Sequence, residues 1–239
     1  MARVALVTPC YAEILRPADR LHARAVLEGL GDDVVDIRGA CCGQPAFNSG
    51  YRSEALKVGR RILRETRGHE AVVMPSGSCV SMVRDHLPGL FEGARRDAAA
   101  RLGSSFRELA DYVANHPALP DLNLRLGGVV AYHDSCHARR ALGLTETVLG
   151  LLSSIEGLEV RRLRFEAECC GFGGAFSAAQ PETAAAIRSA KVDDIELTGA
   201  RVVVSTDLSC LSHIATGIRG RSIPIETWTV SELLAKALR

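Results

Sequence analysis

Short apolar runs alternate with longer amphipathic stretches along this chain, and the whole series occurs twice. Val4-Ala5-Leu6-Val7 is a β-prone run ending near Cys10; Gly128-Val129-Val130-Ala131-Tyr132 is its counterpart, ending near Cys136. Each leads into a stretch that predicts helix, Ala12 to Leu30 and Ala138 to Ile155. Second strands are expected at Asp33 to Ile37 and Leu158 to Leu163. Two long helices follow. Ser53 to Thr66 sets Ala55, Leu56, Val58, Ile62 and Leu63 mainly on one stripe, and Pro181 to Leu197 does the same with Ala184, Ile187, Val192 and Ile195. Third strands are expected at Ala71 to Met74 and Arg201 to Val204, and later helices at Phe106 to Ala110 and Val230 to Leu234.

Strands and helices alternating at these lengths imply parallel βαβ units with right-handed crossovers. The expected fold class is therefore α/β, with two pseudo-equivalent Rossmann-like halves. Pro117 to Asn123 clusters prolines and turn residues and is the natural linker. It divides the chain into residues 1–123 and 124–239.

Composition narrows the function. The 239 residues carry 29 basic and 28 acidic side chains, a net charge of +1, and only 5% aromatics. That balance offers no electrostatic footprint or stacking platform for nucleic acid. No apolar run reaches the roughly 18–20 residues of a membrane span, and the N-terminal apolar stretch is too short for a secretory signal. A cytoplasmic location is the expectation, where thiols stay reduced and serve more often as ligands or catalysts than as disulfides.

The eight cysteines repeat with the fold. Cys10, Cys41, Cys42 and Cys79 recur as Cys136, Cys169, Cys170 and Cys210, displaced by 126, 128, 128 and 131 residues. Each cysteine-bearing segment follows a predicted strand. In a parallel sheet those ends share the carboxyl edge, where open α/β folds bind ligands. Four thiolates gathered there repel one another, and a cation or iron–sulfur core compensates that charge. Gly43 and Gly171, each following a Cys-Cys pair, can take strained dihedrals and let the backbone approach an inorganic core. A disulfide framework is formally open, but a chain with its own core does not need one. Two all-thiolate zinc sites are the stronger rival, although the short C-x₂₋₄-C knuckles usual for zinc are absent. His133 and His137 flank Cys136. Either a ligand or proton-relay role, or hydrogen bonding to the loop, is consistent with that position.

The stretches Thr8-Pro9-Cys10, Ala40-Cys41-Cys42-Gly43-Gln44-Pro45, Pro75-Ser76-Gly77-Ser78-Cys79, Tyr132-His133-Asp134-Ser135-Cys136-His137, Glu168-Cys169-Cys170-Gly171-Phe172-Gly173-Gly174 and Asp207-Leu208-Ser209-Cys210 carry a resemblance. In them the chain resembles the cysteine-rich CCG-domain proteins, and most of all the lactate utilization protein A family. The resemblance implies an iron–sulfur electron-transfer subunit of a multi-protein system oxidising L-lactate to pyruvate. It implies one or two iron–sulfur clusters of the [4Fe–4S] kind per chain, with the two cysteine quartets as ligands. The partners it implies are iron–sulfur and other subunits of the same lactate-oxidising system. Related CCG domains serve in glycolate, glycerol-3-phosphate and heterodisulfide systems, which stand as alternatives. The fullest family pattern ends in C-x-x-C; here the first of those positions is Ser76 in one half and Asp207 in the other.

Overall fold

The computed structural model describes residues 2–238. Their strands form two four-stranded sheets in which every pairing is parallel. The first holds β1 (Arg3–Val7), β2 (Asp33–Ile37), β3 (Ala71–Met74) and β4 (Phe106–Glu108), in the order β2-β1-β3-β4. The second holds β5 (Arg125–Tyr132), β6 (Glu156–Arg162), β7 (Val202–Ser205) and β8 (Glu226–Thr229), in the order β6-β5-β7-β8. Register repeats as well: Val4 lies opposite Ala71 and Leu6 opposite Val73, as Val130 lies opposite Val202 and Tyr132 opposite Val204.

In the first half the helices are α1 (Cys10–Leu15), α2 (Asp19–Gly29), α3 (Gln44–Asn48), α4 (Arg52–Glu65), α5 (Gly77–Ser81), α6 (Ala94–Gly103) and α7 (Leu109–Ala114). The second half holds α8 (Thr145–Ser153), α9 (Ala175–Ala179), α10 (Pro181–Leu197), α11 (Leu208–Gly220) and α12 (Val230–Ala237). Two of the expected helices are broken. Pro17 lacks an N–H and disfavours helical geometry in its predecessor, so the Ala12 to Leu30 stretch divides into α1 and α2. The Ala138 to Ile155 stretch becomes a π-type turn over His137–Ala141 and then α8, with Gly143 at φ 68° between them. The expected helix from Phe106 begins three residues late. Phe106–Glu108 is instead the edge strand β4, paired with Val72, Val73 and Met74, and the helix starts at Leu109.

The central strands are buried on both faces, which is why they read as unbroken apolar runs. Ala5, Val7, Val72 and Met74 face one cluster with Ile62 of α4, and Ala131 and Val203 face another with Val192 and Ile195 of α10. The opposite faces meet. Val4 and Leu6 share a single cluster with Val130 and Tyr132, filled by Val26 and Leu27 of α2, Val148 and Leu152 of α8, and Leu233 and Leu234 of α12. Helix α12 packs on α2, and α7 on α8, so each pair joins the two sheets. Polar contacts reinforce this join. Buried Asp19 accepts from the Thr229 hydroxyl and, at 2.8 Å, from Ser231, while Arg16 donates to the Thr227 carbonyl at 2.6 Å.

Glu108 caps α7 by accepting from the Ala110 amide at 2.7 Å, and its side chain is buried. Burial, with lesser contributions from Asp111 and Asp207, pushes its carboxyl from an ordinary value of 4.5 up to about 8. The folded protein therefore keeps a proton that the unfolded chain releases near 4.5. Stability is expected to fall as pH rises between about 4.5 and about 8, by up to about 1.4 kcal/mol per pH unit from this group. Glu108→Gln keeps the capping oxygen without the proton. Urea unfolding across that range is expected to show a flatter pH profile for the variant, and a stability above wild type at pH 8.

Candidate metal centre

Each cysteine stands at the carboxyl end of a strand, delivered by the turn that starts the next helix. Cys10 opens α1 after β1, and Cys41 and Cys42 lie between β2 and α3. Cys79 sits in α5 after β3, where the Ser76 hydroxyl caps the helix by accepting from the Cys79 amide at 3.4 Å. In the second half Cys136 follows β5, Cys169 and Cys170 follow β6, and Cys210 lies in the first turn of α11 after β7.

The thiols of each half converge. Cys10 Sγ lies 3.5 Å from Cys41 Sγ, and Cys42 Sγ 3.3 Å from Cys79 Sγ. Cys41 and Cys42 also interact, which completes a chain of four. Cys136, Cys169, Cys170 and Cys210 form the equivalent chain. All eight are free thiols, at separations well beyond the roughly 2.05 Å of a disulfide bond. One sulfur in each half is held as a thiolate. Hydrogen bonds from Cys10 and Cys42, and from the Gly43 amide, push Cys41 down to about 3. Cys136, Cys170 and the Gly171 amide push Cys169 down to about 2. Their donors pay the opposite way: Cys10 and Cys136 are pushed above the usual thiol range, first by that hydrogen bond and then by burial. In each bare quartet two thiols are thus pushed up, Cys10 and Cys42 or Cys136 and Cys170, and holding all four as thiolate ligands requires an inserted positive charge. That donor set fits a thiophilic cation or an iron–sulfur group.

The two glycines sit between the thiols and a helix. Both have left-handed φ, +86° at Gly43 and +87° at Gly171, and their amides donate to Cys41 Sγ at 3.4 Å and Cys169 Sγ at 3.3 Å. The space where a Cβ would stand is filled by the following long helix. It would lie 3.0 Å from the Ala55 carbonyl oxygen of α4, and 2.7 Å from the Ala184 carbonyl oxygen of α10. The close approach is to a helix, and it fixes the Cys-Cys loop against that helix.

The two histidines part company. His137 lies with Nδ1 3.7 Å from Cys136 Sγ and Nε2 3.3 Å from Gln44 Nε2 of the other half. His133 is fully buried, neither ring nitrogen has a hydrogen-bond partner among the described residues, and a ring nitrogen lies within 4.8 Å of the Cys170 and Cys210 sulfurs. Burial, aided by Lys191, pushes its pKa down to about 3, so the ring is neutral with a lone pair free.

Both quartets border the seam between the halves. Ser76 and Asp207, the two departures from C-x-x-C, meet there 3.5 Å apart. Asp207 also accepts from the Ser78 amide at 2.8 Å, from the Ser78 hydroxyl at 3.1 Å and from the Ser209 hydroxyl at 2.9 Å. Gly77 leaves room for Ala138 across the seam, since a Cβ there would lie 3.2 Å from the Ala138 Cβ. Beside Cys10, the Tyr11 ring stands 5.7 Å from that of Phe172. Sequence reading missed Ser78, Ser209 and Gln44 as site residues. The one available signal was the shared spacing of Ser76-x-Ser78 and Asp207-x-Ser209.

A family model described as "CCG: Cysteine-rich domain" matches residues 4–84 and 130–215. The chain is 33% identical to lactate utilization protein A 1 of Bacillus anthracis over 239 residues, 99% of each chain. It is 36% identical to lactate utilization protein A of Bacillus licheniformis over 235 residues, 97% of this chain and 98% of the other. A solved structure of a hypothetical protein from Helicobacter pylori shares the fold, with a TM-score of 0.64 at 11% identity. That match covers 98% of this chain and 49% of the other, so the chain spans about half the length of that structure.

Proposed function

The chain belongs to the cysteine-rich CCG-domain family, and from that premise we propose that it is an iron–sulfur electron-transfer subunit of a system that oxidises L-lactate to pyruvate. The observation that carries the reading is the convergence of two four-thiol chains at equivalent sheet edges. The lactate assignment rests on relatives that carry lactate utilization in their names and match over nearly their full length.

Cys10, Cys41, Cys42 and Cys79 would hold one group, and Cys136, Cys169, Cys170 and Cys210 the other. Such a group supplies one-electron chemistry at a potential tuned by its surroundings. The protein's own contribution is legible. The Gly43 and Gly171 amides donate to ligand sulfurs, which stabilises negative charge on them. Turning lactate into pyruvate removes two electrons and two protons. Neither of two surface clefts, one beside Arg16, Asp19 and Trp228 and one beside Arg60, Arg64 and Phe91, is lined by a cysteine. We read the hydroxy-acid site as belonging to a partner subunit and this chain as the one that handles electrons. Free thiols throughout fit a reducing, cytoplasmic setting. Among the described residues no helix is long and apolar enough to cross a membrane. We read the halves as a duplication with its boundary at residues 123 and 124.

The thiol spacing favours a second reading. A single tetrahedral ion with metal–sulfur bonds of about 2.3 Å sets its ligand sulfurs about 3.8 Å apart, close to the 3.3 Å and 3.5 Å seen here. A four-iron core holds them much wider. Iron, zinc and acid-labile sulfide per chain, measured after strictly anaerobic purification, separate the two. A brown protein containing iron and sulfide is expected; a colourless protein containing zinc alone would overturn the redox reading. Cys42→Ser and Cys170→Ser are each expected to remove the metal of their own half and spare the other. A deletion strain is expected to lose growth on L-lactate and keep growth on glycerol 3-phosphate.

A further inference from the structure

The two halves match in fold and thiols, but not in what stands behind the thiols. The register that aligns Cys10 with Cys136 aligns Val7 with His133. Val7 is an apolar core residue. His133 is equally buried, yet it brings two nitrogen atoms that no group among the described residues satisfies. Leaving a buried polar group unpartnered forfeits its hydration with nothing in return, so a residue of this kind in a core calls for an occupant. Its ring nitrogen lies with the Cys170 and Cys210 sulfurs in a cluster whose atoms are all within 4.8 Å of one another.

A second asymmetry lies alongside. The 129-residue displacement that relates Ala55 to Ala184, each packed against its Cys-Cys-Gly loop, places Ile62 of α4 opposite Lys191 of α10. Ile62 is buried and apolar. Lys191 is buried too, its Nζ 2.7 Å from the Phe165 carbonyl oxygen and 3.7 Å from Asp194. The second half therefore has an imidazole and an ammonium group where the first has two hydrocarbon side chains.

We propose that His133 is a ligand of the second centre, supplying imidazole nitrogen beside the Cys170 and Cys210 thiols, and that this centre lies at a more positive reduction potential than the all-thiol first. The proposal rests on the reading of each quartet as the seat of a redox metal group. In this arrangement His133 takes one of the four ligand positions of the second centre from a thiolate, and a neutral imidazole in place of an anionic thiolate raises an iron–sulfur potential, because the oxidised state loses electron donation. Lys191 is paired with Asp194, so the difference in potential is carried by the imidazole.

The test uses the full chain, purified anaerobically, in a Cys41→Ser/Cys79→Ser background that leaves the second quartet alone. In this background His133→Val copies the residue found in the first half, and His133→Cys offers a thiol in place of the ring. Circular dichroism checks folding. Expected results are iron and sulfide in the background protein, and a pulsed-EPR coupling from directly bonded nitrogen in its reduced form. That coupling is lost in both His133 variants, while His133→Cys keeps its iron and titrates at a lower potential. Iron and sulfide with no nitrogen coupling, or a coupling that survives both substitutions, would overturn the His133 assignment and leave the quartet reading standing. Iron in wild type but none in the background would show the second half unloaded and overturn the proposal, while the first quartet would retain its reading. Zinc in place of iron would overturn both.

Discussion

Gly171→Ala is expected to strip the second centre of its metal and to destabilise the protein by at least about 2 kcal/mol. Two costs combine. At φ +87° an alanine pays the left-handed penalty, and its Cβ would lie 2.7 Å from the Ala184 carbonyl oxygen and 3.0 Å from the Ile187 Cβ. The first of these is backbone, so relief requires α10 or the Cys169-Cys170 loop to move. Loop movement pulls the Gly171 amide away from Cys169 Sγ and spreads the quartet. Gly43→Ala, whose nearest contact is 3.0 Å to the Ala55 carbonyl oxygen, is expected to do the same to the first centre, less severely. Gly31→Ala is the control. Its φ is also +86°, but nothing lies within 4 Å of the added atom, so only the conformational penalty applies. Urea unfolding with metal content on each variant checks the ranking. Equal losses for Gly31→Ala and Gly171→Ala would show that the dihedral, and not the helix contact, sets the cost.

Asp207→Ala and Asp207→Asn are expected to diverge. Asp207 is buried, no lysine or arginine among the described residues forms an ion pair with it, and it accepts from groups on both halves. Alanine leaves the Ser78 amide without an acceptor, at a cost of about 1–3 kcal/mol, and loosens α5 from α11 at the seam. Asparagine can still accept from that amide, and the Ser76, Ser78 and Ser209 hydroxyls can rotate to accept from its NH₂. It also removes a buried charge, so its stability is expected to equal or exceed that of wild type. In the metal-loaded protein, losing this negative charge near Cys136 is expected to raise the second centre's potential. Thermal unfolding and a redox titration read the two effects separately. A melting temperature for Asp207→Asn as low as that of Asp207→Ala would contradict this account of the seam.

Much of the architecture was legible along the chain, for local reasons. Val4 to Val7 and Ala71 to Met74 are buried on both faces, so they show as apolar runs without reference to anything distant. The Pro181 to Leu197 helix was bounded correctly because a proline opens it and no proline or glycine interrupts it before Gly199. Strands β4 and β8 were missed because three or four residues are too few to show a period of two. The break at Pro17 was visible in principle, but the apolar positions on either side of it suggested one continuous helix.

Order along the chain was enough to establish the duplicated α/β pattern and the placement of eight cysteines at strand ends. In parallel βαβ units, a residue just past a strand must lie at the carboxyl edge, whatever the side chains do. Folding alone decided that the two sheets share one apolar cluster, that Ser76 meets Asp207, and that His133 points unpartnered at Cys170 and Cys210 while His137 reaches Gln44. Those contacts join residues 131 and 93 positions apart in two cases. No local preference encodes such a pairing; it exists only because two helices from different halves are forced together over a common core.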